Sequence, residues 1–152
     1  MNRVACLSIL AVTFTLSAAA HTLSAQTKAF KDKNGTCQVL LPADWQLDDI
    51  TGEMKDPKSL IRVSVFWERD AKVEPYSAMA MDMNNVEKMF ENTAQRIFYQ
   101  EKPIKFGPVP TYAYTVYTPA PQKGACHGAI SMKPGADEPA AKQIALTLGP
   151  AK

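Results

Sequence analysis

Three cysteines carry the clearest chemistry in the sequence: Cys6, Cys37 and Cys126. Cys6 lies in an apolar amino-terminal run typical of an export signal, and its removal with that signal leaves a pair 89 positions apart. Thiols oxidise in the compartments that exported proteins reach. We therefore expect a disulfide between Cys37 and Cys126, with two separate buried thiols as the alternative. In the chain-entropy model, closing a loop of this length stabilises the fold by about 4–5 kcal/mol.

The amino-terminal residues have the pattern of a secretory signal peptide. Arg3 gives a short positive start, and the apolar run over residues 4–16 is too short to span a bilayer. Small residues then offer cleavage sites after Ala25, which we favour, and after Ala20. We predict that residues 1–25 are removed on export.

The remaining residues, 26–152, are expected to form one domain that is periplasmic or secreted. The chain is 46% hydrophobic and 21% charged, as in an ordinary folded protein. Its formal net charge of +2 is too small for a surface that binds nucleic acid through phosphate contacts. No later segment approaches about 18 continuous apolar residues, so we expect no membrane span after signal removal. The partner left open is an unknown protein or small ligand.

His127 is the one imidazole that the domain keeps if cleavage follows Ala25, because His21 is then lost. Nucleophilic catalysis needs such a base within hydrogen-bond reach of a serine or cysteine. The adjacent Cys126 cannot be that nucleophile, since neighbouring residues of a strand point to opposite faces. One imidazole also cannot build a zinc or copper site from several histidines. We therefore expect no catalytic residue and no enzyme, with a hydrolase that uses His127 as the less favoured alternative.

Three methionines at alternate positions raise another alternative, a periplasmic copper-handling protein: Met79, Met81 and Met83. Thioether sulfurs bind Cu(I). On a helix, however, Met79 and Met83 share a face while Met81 lies on nearly the other side, so the three sulfurs do not converge. We favour packing in the core and expect neither a metal nor another cofactor. The acidic residues nearby are expected to form a solvated loop rather than a calcium site: Glu68, Asp70 and Glu74.

The spacing of apolar residues predicts the elements that hold these side chains. Asn34-Gly35 favours a type I′ turn between strands over residues 28–33 and 36–41. Residues 59–67 alternate between apolar and other side chains, as in a strand with one buried face. Further strands are predicted near the carboxyl end: Thr111–Thr118, Ala125–Met132 and Lys142–Leu148.

A long amphipathic helix is predicted over residues 75–100. Its apolar side chains recur at steps of three and four: Met79, Met83, Val86, Phe90, Ala94 and Ile97. Pro75 suits the first turn, and Pro103 limits the other end. Together these elements predict an α+β fold, in which a mainly antiparallel sheet of five to six strands carries one long amphipathic helix on one face.

Strand parity assigns the side chains to two faces of that sheet. Cys37 and Cys126 each share a face with apolar neighbours, so both point to the core, and His127 points to the other face. One helix covers only one face. The other face is expected to be an interaction surface or a self-association surface, with an ordinary solvated face as the alternative. It carries these residues, with His127 near its margin: Arg62, Ser64, Phe66, Ala129, Ala145 and Thr147.

The run from Phe30 to Trp45, FKDKNGTCQVLLPADW, resembles the opening of PsbP-like proteins, the family of the photosystem II extrinsic subunit. The order of strand, long helix, the Gly-Pro-x-Pro-x-Tyr run at 107–112 and further strands is also similar, so the resemblance covers most of residues 27–148. It implies an antiparallel sheet flanked by helices and an exported, non-enzymatic accessory or binding role, with no catalytic residues. The chain departs from the family at its end, where a further helix usually covers the second sheet face.

Overall fold

The computed structural model describes residues 26–75, 84–106 and 109–152. In these residues the chain forms ten strands and one α-helix. In chain order the elements are β1 (Thr27–Lys31), β2 (Cys37–Pro42), β3 (Gln46–Leu47), β4 (Met54–Lys55), β5 (Ile61–Glu68), β6 (Val86–Asn92), β7 (Ile97–Phe106), β8 (Val109–Pro119), β9 (Ala125–Met132), α1 (Glu138–Leu146) and β10 (Gly149–Pro150).

The strands form two antiparallel sheets. The smaller sheet has the order β1-β2-β10, and the larger sheet has seven strands in the order β3-β4-β5-β9-β8-β7-β6. The smaller sheet and α1 pack on one face of the larger sheet, where β2 contacts β5 and β9 while α1 contacts β8 and β9. The side chains buried between them form the main core, which includes Val39, Leu41, Trp45, Ile61, Val63, Val65, Phe98, Tyr114, Val116, Ile130, Ala141, Ile144, Ala145 and Leu148.

The predicted disulfide is confirmed. Cys37 and Cys126 are bonded, with their Cα atoms 5.4 Å apart, and both side chains are completely buried. The parity that directed them to the core is confirmed too, because their same-face neighbours Val39 and Ile130 are buried beside them. The bond therefore joins the two sheets through the middle of the core.

The predicted fold class is wrong, because the segment expected to form a long amphipathic helix contributes two strands, β6 and β7. Phe90 packs against Phe98 in the main core, with ring centroids 4.8 Å apart, whereas Val86 and Ile97 pack on the opposite face of the sheet. Between the strands, Thr93 closes a tight turn through a backbone hydrogen bond of 2.9 Å to Arg96. Strands buried on both faces lose their alternation, so helix-like spacing arises by coincidence.

The strand predicted over residues 142–148 is also wrong, because residues 142–146 form the last part of α1 and residues 147–148 follow the helix. The Asp137 carboxylate accepts a hydrogen bond from the backbone N–H of Ala140 at 3.0 Å, and Pro139 lies in the first turn. The Glu138 carboxylate in turn accepts a hydrogen bond of 2.6 Å from the Tyr114 hydroxyl of β8. The core face is thus covered by α1 and the smaller sheet instead of by a helix over residues 75–100.

The amino-terminal hairpin forms where it was predicted, but with a different turn. The backbone N–H of Asp32 donates to the Cys37 carbonyl at 3.0 Å, so the loop is longer than a two-residue type I′ turn. Gly35 alone in this loop has a positive φ, of 67°. The Asp32 carboxylate is buried and accepts three backbone N–H groups, from Asn34, Thr36 and Cys37. A carboxylate therefore sets the turn more than the Asn-Gly dipeptide does.

Three other predicted strands are confirmed with small changes of boundary, as β5, β8 and β9. The predicted sheet of five to six strands is too small, because β3, β4, β6 and β7 extend the larger sheet. In the described part of the chain, no helix has the length and apolar character needed to cross a membrane.

Candidate functional site

Three rings stand side by side on the face of the larger sheet that points away from the core. Phe66 of β5, His127 of β9 and Tyr117 of β8 are cross-strand neighbours. The His127 ring stacks on Tyr117, with centroids 4.3 Å apart and an interplanar angle of 13°, and its centroid lies 5.6 Å from that of Phe66. His127 therefore points away from the disulfide, as strand parity predicted. We call this surface the His127 face.

Glu68 holds the imidazole in place. Its Oε1 atom lies 2.7 Å from Nδ1 of His127, and this hydrogen bond holds the pKa of the Glu68 carboxyl below its usual range, although partial burial opposes the shift. When Glu68 is ionised, Nδ1 donates the proton and Nε2 is left as the basic nitrogen. Among the described residues, no serine, threonine or cysteine hydrogen-bonds to His127. The arrangement thus has an oriented base but no positioned nucleophile.

The residues predicted for this face are placed there only in part. Ala145 and Thr147 do not belong to it, because Ala145 is buried in the core within α1 and the Thr147 hydroxyl donates to the carbonyl of Ile144 at the helix end. The other predicted members are on the same face as His127: Arg62, Ser64, Phe66 and Ala129. Four of the six predicted residues therefore share the face of His127, and the other two lie elsewhere in the fold.

One half of the His127 face is covered by the chain itself. Ala71 and Val73, from the loop after β5, pack against Tyr117, Ile97 and Tyr99 in a second apolar cluster. Burial is the main cause that raises the pKa of Tyr117, and the nearby carboxylate of Glu68 adds to it, so the phenol stays protonated. The half of the His127 face that stays open to solvent is therefore the one near Phe66, which is 48% exposed.

The metal chemistry considered from the sequence finds no support in the described residues. No group of three or more histidine, cysteine, aspartate or glutamate side chains there could hold a metal ion. In the acidic loop, Asp70 pairs with Lys123 at 3.0 Å while Glu68 is engaged by His127. The copper alternative stays a prediction, because Met79, Met81 and Met83 lie outside the described residues.

A cleft of about 790 Å³ opens at the boundary between β2, α1 and the loop that precedes β5. Its walls are mainly apolar and include Leu40, Pro42, Trp45, Leu60, Ile61, Ala136, Ala140 and Ile144. The Pro-x-x-Trp run of the sequence thus forms part of a wall. Volumes of about 300–1,000 Å³ with apolar linings are typical of small-molecule sites.

Two carboxylates at the margin of the cleft serve the fold. Asp56 accepts backbone N–H groups of Leu60 and Ile61 at 2.6 and 2.8 Å, which shapes the loop before β5. Asp137 caps α1. Five other polar side chains at the margin are exposed and lie where they can contact the polar end of a ligand: Thr27, Asp44, Lys58, Gln143 and Thr147.

Sequence reasoning missed the cleft because its walls come from distant segments. It depends on Ile144 and Ala140 lying on a helix, whereas residues 142–148 were predicted as a strand. The helix-start residues Asp137 and Pro139 were the available indication, since a capping aspartate followed by proline favours a helix.

Comparison with known proteins gives no relative: no family model matches the chain, and no curated protein or solved structure is significantly similar to it.

Proposed function

We propose that the protein is an exported accessory domain, without catalytic activity of its own, that binds an apolar small molecule in the cleft between β2 and α1. The observation that carries the proposal is the cleft itself, whose volume of about 790 Å³ suits a small molecule. Apolar walls supply most of the binding free energy in such sites, and a few polar groups at the margin orient the ligand.

The resemblance to PsbP-like proteins is part of this proposal. The residues that carry it, Pro42 and Trp45, line the cleft. A helix late in the chain, α1, packs on the sheet, as a late helix usually does in members of that family, although the long central helix is absent from residues 86–106. An accessory role in a larger assembly is what the resemblance implies.

Filling the cleft provides the test. In Ala140→Trp an indole occupies the space between α1 and Trp45, while Ala94→Trp adds the same ring to an exposed turn. With the neutral fluorescent probe N-phenyl-1-naphthylamine, the exported protein and Ala94→Trp should show one saturable site. Ala140→Trp should bind at least about tenfold more weakly, a loss of about 1.4 kcal/mol. Equal binding by both variants, or no saturable binding by the parent protein, contradicts the proposal.

Export is tested separately by the amino terminus. Mass spectrometry of protein recovered from the periplasm or medium should show a chain that begins at Gln26 or, as the second choice, at His21. An intact terminus at Met1 contradicts the prediction.

A hydrolase centred on His127 is the second candidate, favoured by the Glu68 carboxylate that orients the ring. Turnover of p-nitrophenyl acetate by the exported protein distinguishes the two. We expect no turnover above that of His127→Ala. Activity that falls together in His127→Ala and Glu68→Gln favours the hydrolase instead.

A further inference from the structure

One edge of β5 is only partly paired. At one edge of β5, β9 pairs with every residue from Ile61 to Glu68. At the opposite edge the neighbour is β4, a strand of two residues that pairs only with Arg62 and Val63. From Ser64 onward the edge of β5 has no strand beside it in the described part of the chain.

The backbone groups at this edge can be identified from one hydrogen bond. The N–H of Asp56 donates to the carbonyl of Ile61 at 3.1 Å, so Ile61 directs its backbone groups to the β4 side. Because this direction alternates along a strand, Val65 and Trp67 direct their N–H and C=O groups the same way. The backbone N–H and C=O groups of Val65 and Trp67 thus have the spacing that pairs with one more strand at this edge.

A groove of about 450 Å³ runs beside these groups. The end of β1 and the following turn, residues 30–34, form its far wall, so the groove is bounded on two sides and has the shape to take a single extended segment. Two large apolar side chains lie at the groove and are unusually exposed, Phe66 at 48% and Leu47 at 51%. Lys33 adds an exposed ammonium group.

We propose that the open edge of β5 is a docking site for an extended segment of a partner protein, which adds to the larger sheet as a strand beside Val65 and Trp67. Main-chain hydrogen bonds to these two residues hold the segment. Its apolar side chains contact Phe66 and Leu47, and an acidic side chain pairs with Lys33. An unpaired strand edge is a template for pairing with another chain, and the exposed apolar side chains of Phe66 and Leu47 flank it here. This site is separate from the cleft and does not depend on it.

Amide hydrogen exchange tests the edge in the free protein and in the presence of a defined probe. The probe is a blocked eight-residue peptide of alternating valine and glutamate. In the free protein, the amides of Val65 and Trp67 should exchange at least about tenfold faster than those of Ser64 and Phe66, which donate to β9. Addition of the peptide should slow Val65 and Trp67 and leave the cleft residues unchanged.

A charge variant tests the polarity of the segment. Lys33→Glu should weaken binding of the valine–glutamate peptide severalfold and favour an alternating valine–lysine peptide, while Lys105→Glu, an exposed lysine on β7, should change neither. The proposal is overturned if the first peptide fails to bind at millimolar concentration, or binds without protecting Val65 and Trp67. It is also overturned if these amides are already protected in the free protein, or become protected only as protein concentration rises, which identifies a second copy as the occupant.

Discussion

Cys37 of β2 and Cys126 of β9 connect the smaller sheet to the centre of the larger one, with their Cα atoms 5.4 Å apart in a fully buried position. Elsewhere the two sheets are held by apolar contact rather than by a shared ladder, because no strand of one pairs with a strand of the other in the described residues. The disulfide is therefore the one covalent link between the layers in that part of the chain, apart from the backbone.

Removal of this bond should lower stability substantially. The double variant Cys37→Ala with Cys126→Ala should lose about 4–5 kcal/mol in free energy of unfolding, because the 89-residue separation frees a large loop in the unfolded chain. Urea denaturation measures the loss, and reduced parent protein serves as the control. A loss below about 1 kcal/mol contradicts this entropic account.

The hairpin turn supports a second prediction, at the buried carboxylate of Asp32. Its three hydrogen bonds from backbone N–H groups, of 2.7 to 2.9 Å, orient the chain into β2. Asp32→Ala should cost about 2–3 kcal/mol, since buried donors lose a charged acceptor. Asp32→Asn should keep part of this stability. Asp49→Ala, at an exposed turn, should change it by less than about 0.5 kcal/mol. Equal effects of the Asp32 and Asp49 variants would show that the turn does not need the carboxylate.

The disulfide and the side of His127 were predictable because β2, and β9 from Cys126 onward, alternate between buried core positions and less buried outer positions. β7 offers no such pattern, since Ile97, Phe98 and Tyr99 are all buried, on two different faces. Local spacing then cannot distinguish a strand from a helix. The cleft and the open edge of β5 depend on pairings between distant segments, so no local pattern predicts them.

Alanine substitutions at two glycines with positive φ, Gly124 and Gly135, distinguish the cost of backbone strain from the cost of a steric clash. A Cβ on Gly124, whose φ is 110°, would lie 2.4 Å from the carbonyl oxygen of Glu68, whereas a Cβ on Gly135, whose φ is 85°, would meet nothing within 4 Å. Gly135→Ala should therefore cost about 1 kcal/mol through strain alone. Gly124→Ala should cost more, because β5 must also move. Equal melting temperatures for the two variants contradict this difference.

The pair of Glu68 and His127 should make stability depend on acidic pH. The hydrogen bond from His127 lowers the pKa of Glu68 in the folded protein relative to the unfolded chain, where it is about 4.3. The carboxylate therefore stabilises the fold above that value, and this contribution is lost as the pH falls through the lower, folded pKa. The difference in unfolding free energy between the parent protein and Glu68→Gln should be largest near about pH 5 and shrink toward about pH 2. Urea denaturation at several pH values measures it, with Glu74→Gln, at an exposed carboxylate in the loop after β5, as the matched control for the loss of a carboxylate. A Glu68→Gln difference that does not change over this range would show that the carboxylate gains nothing from His127 on folding.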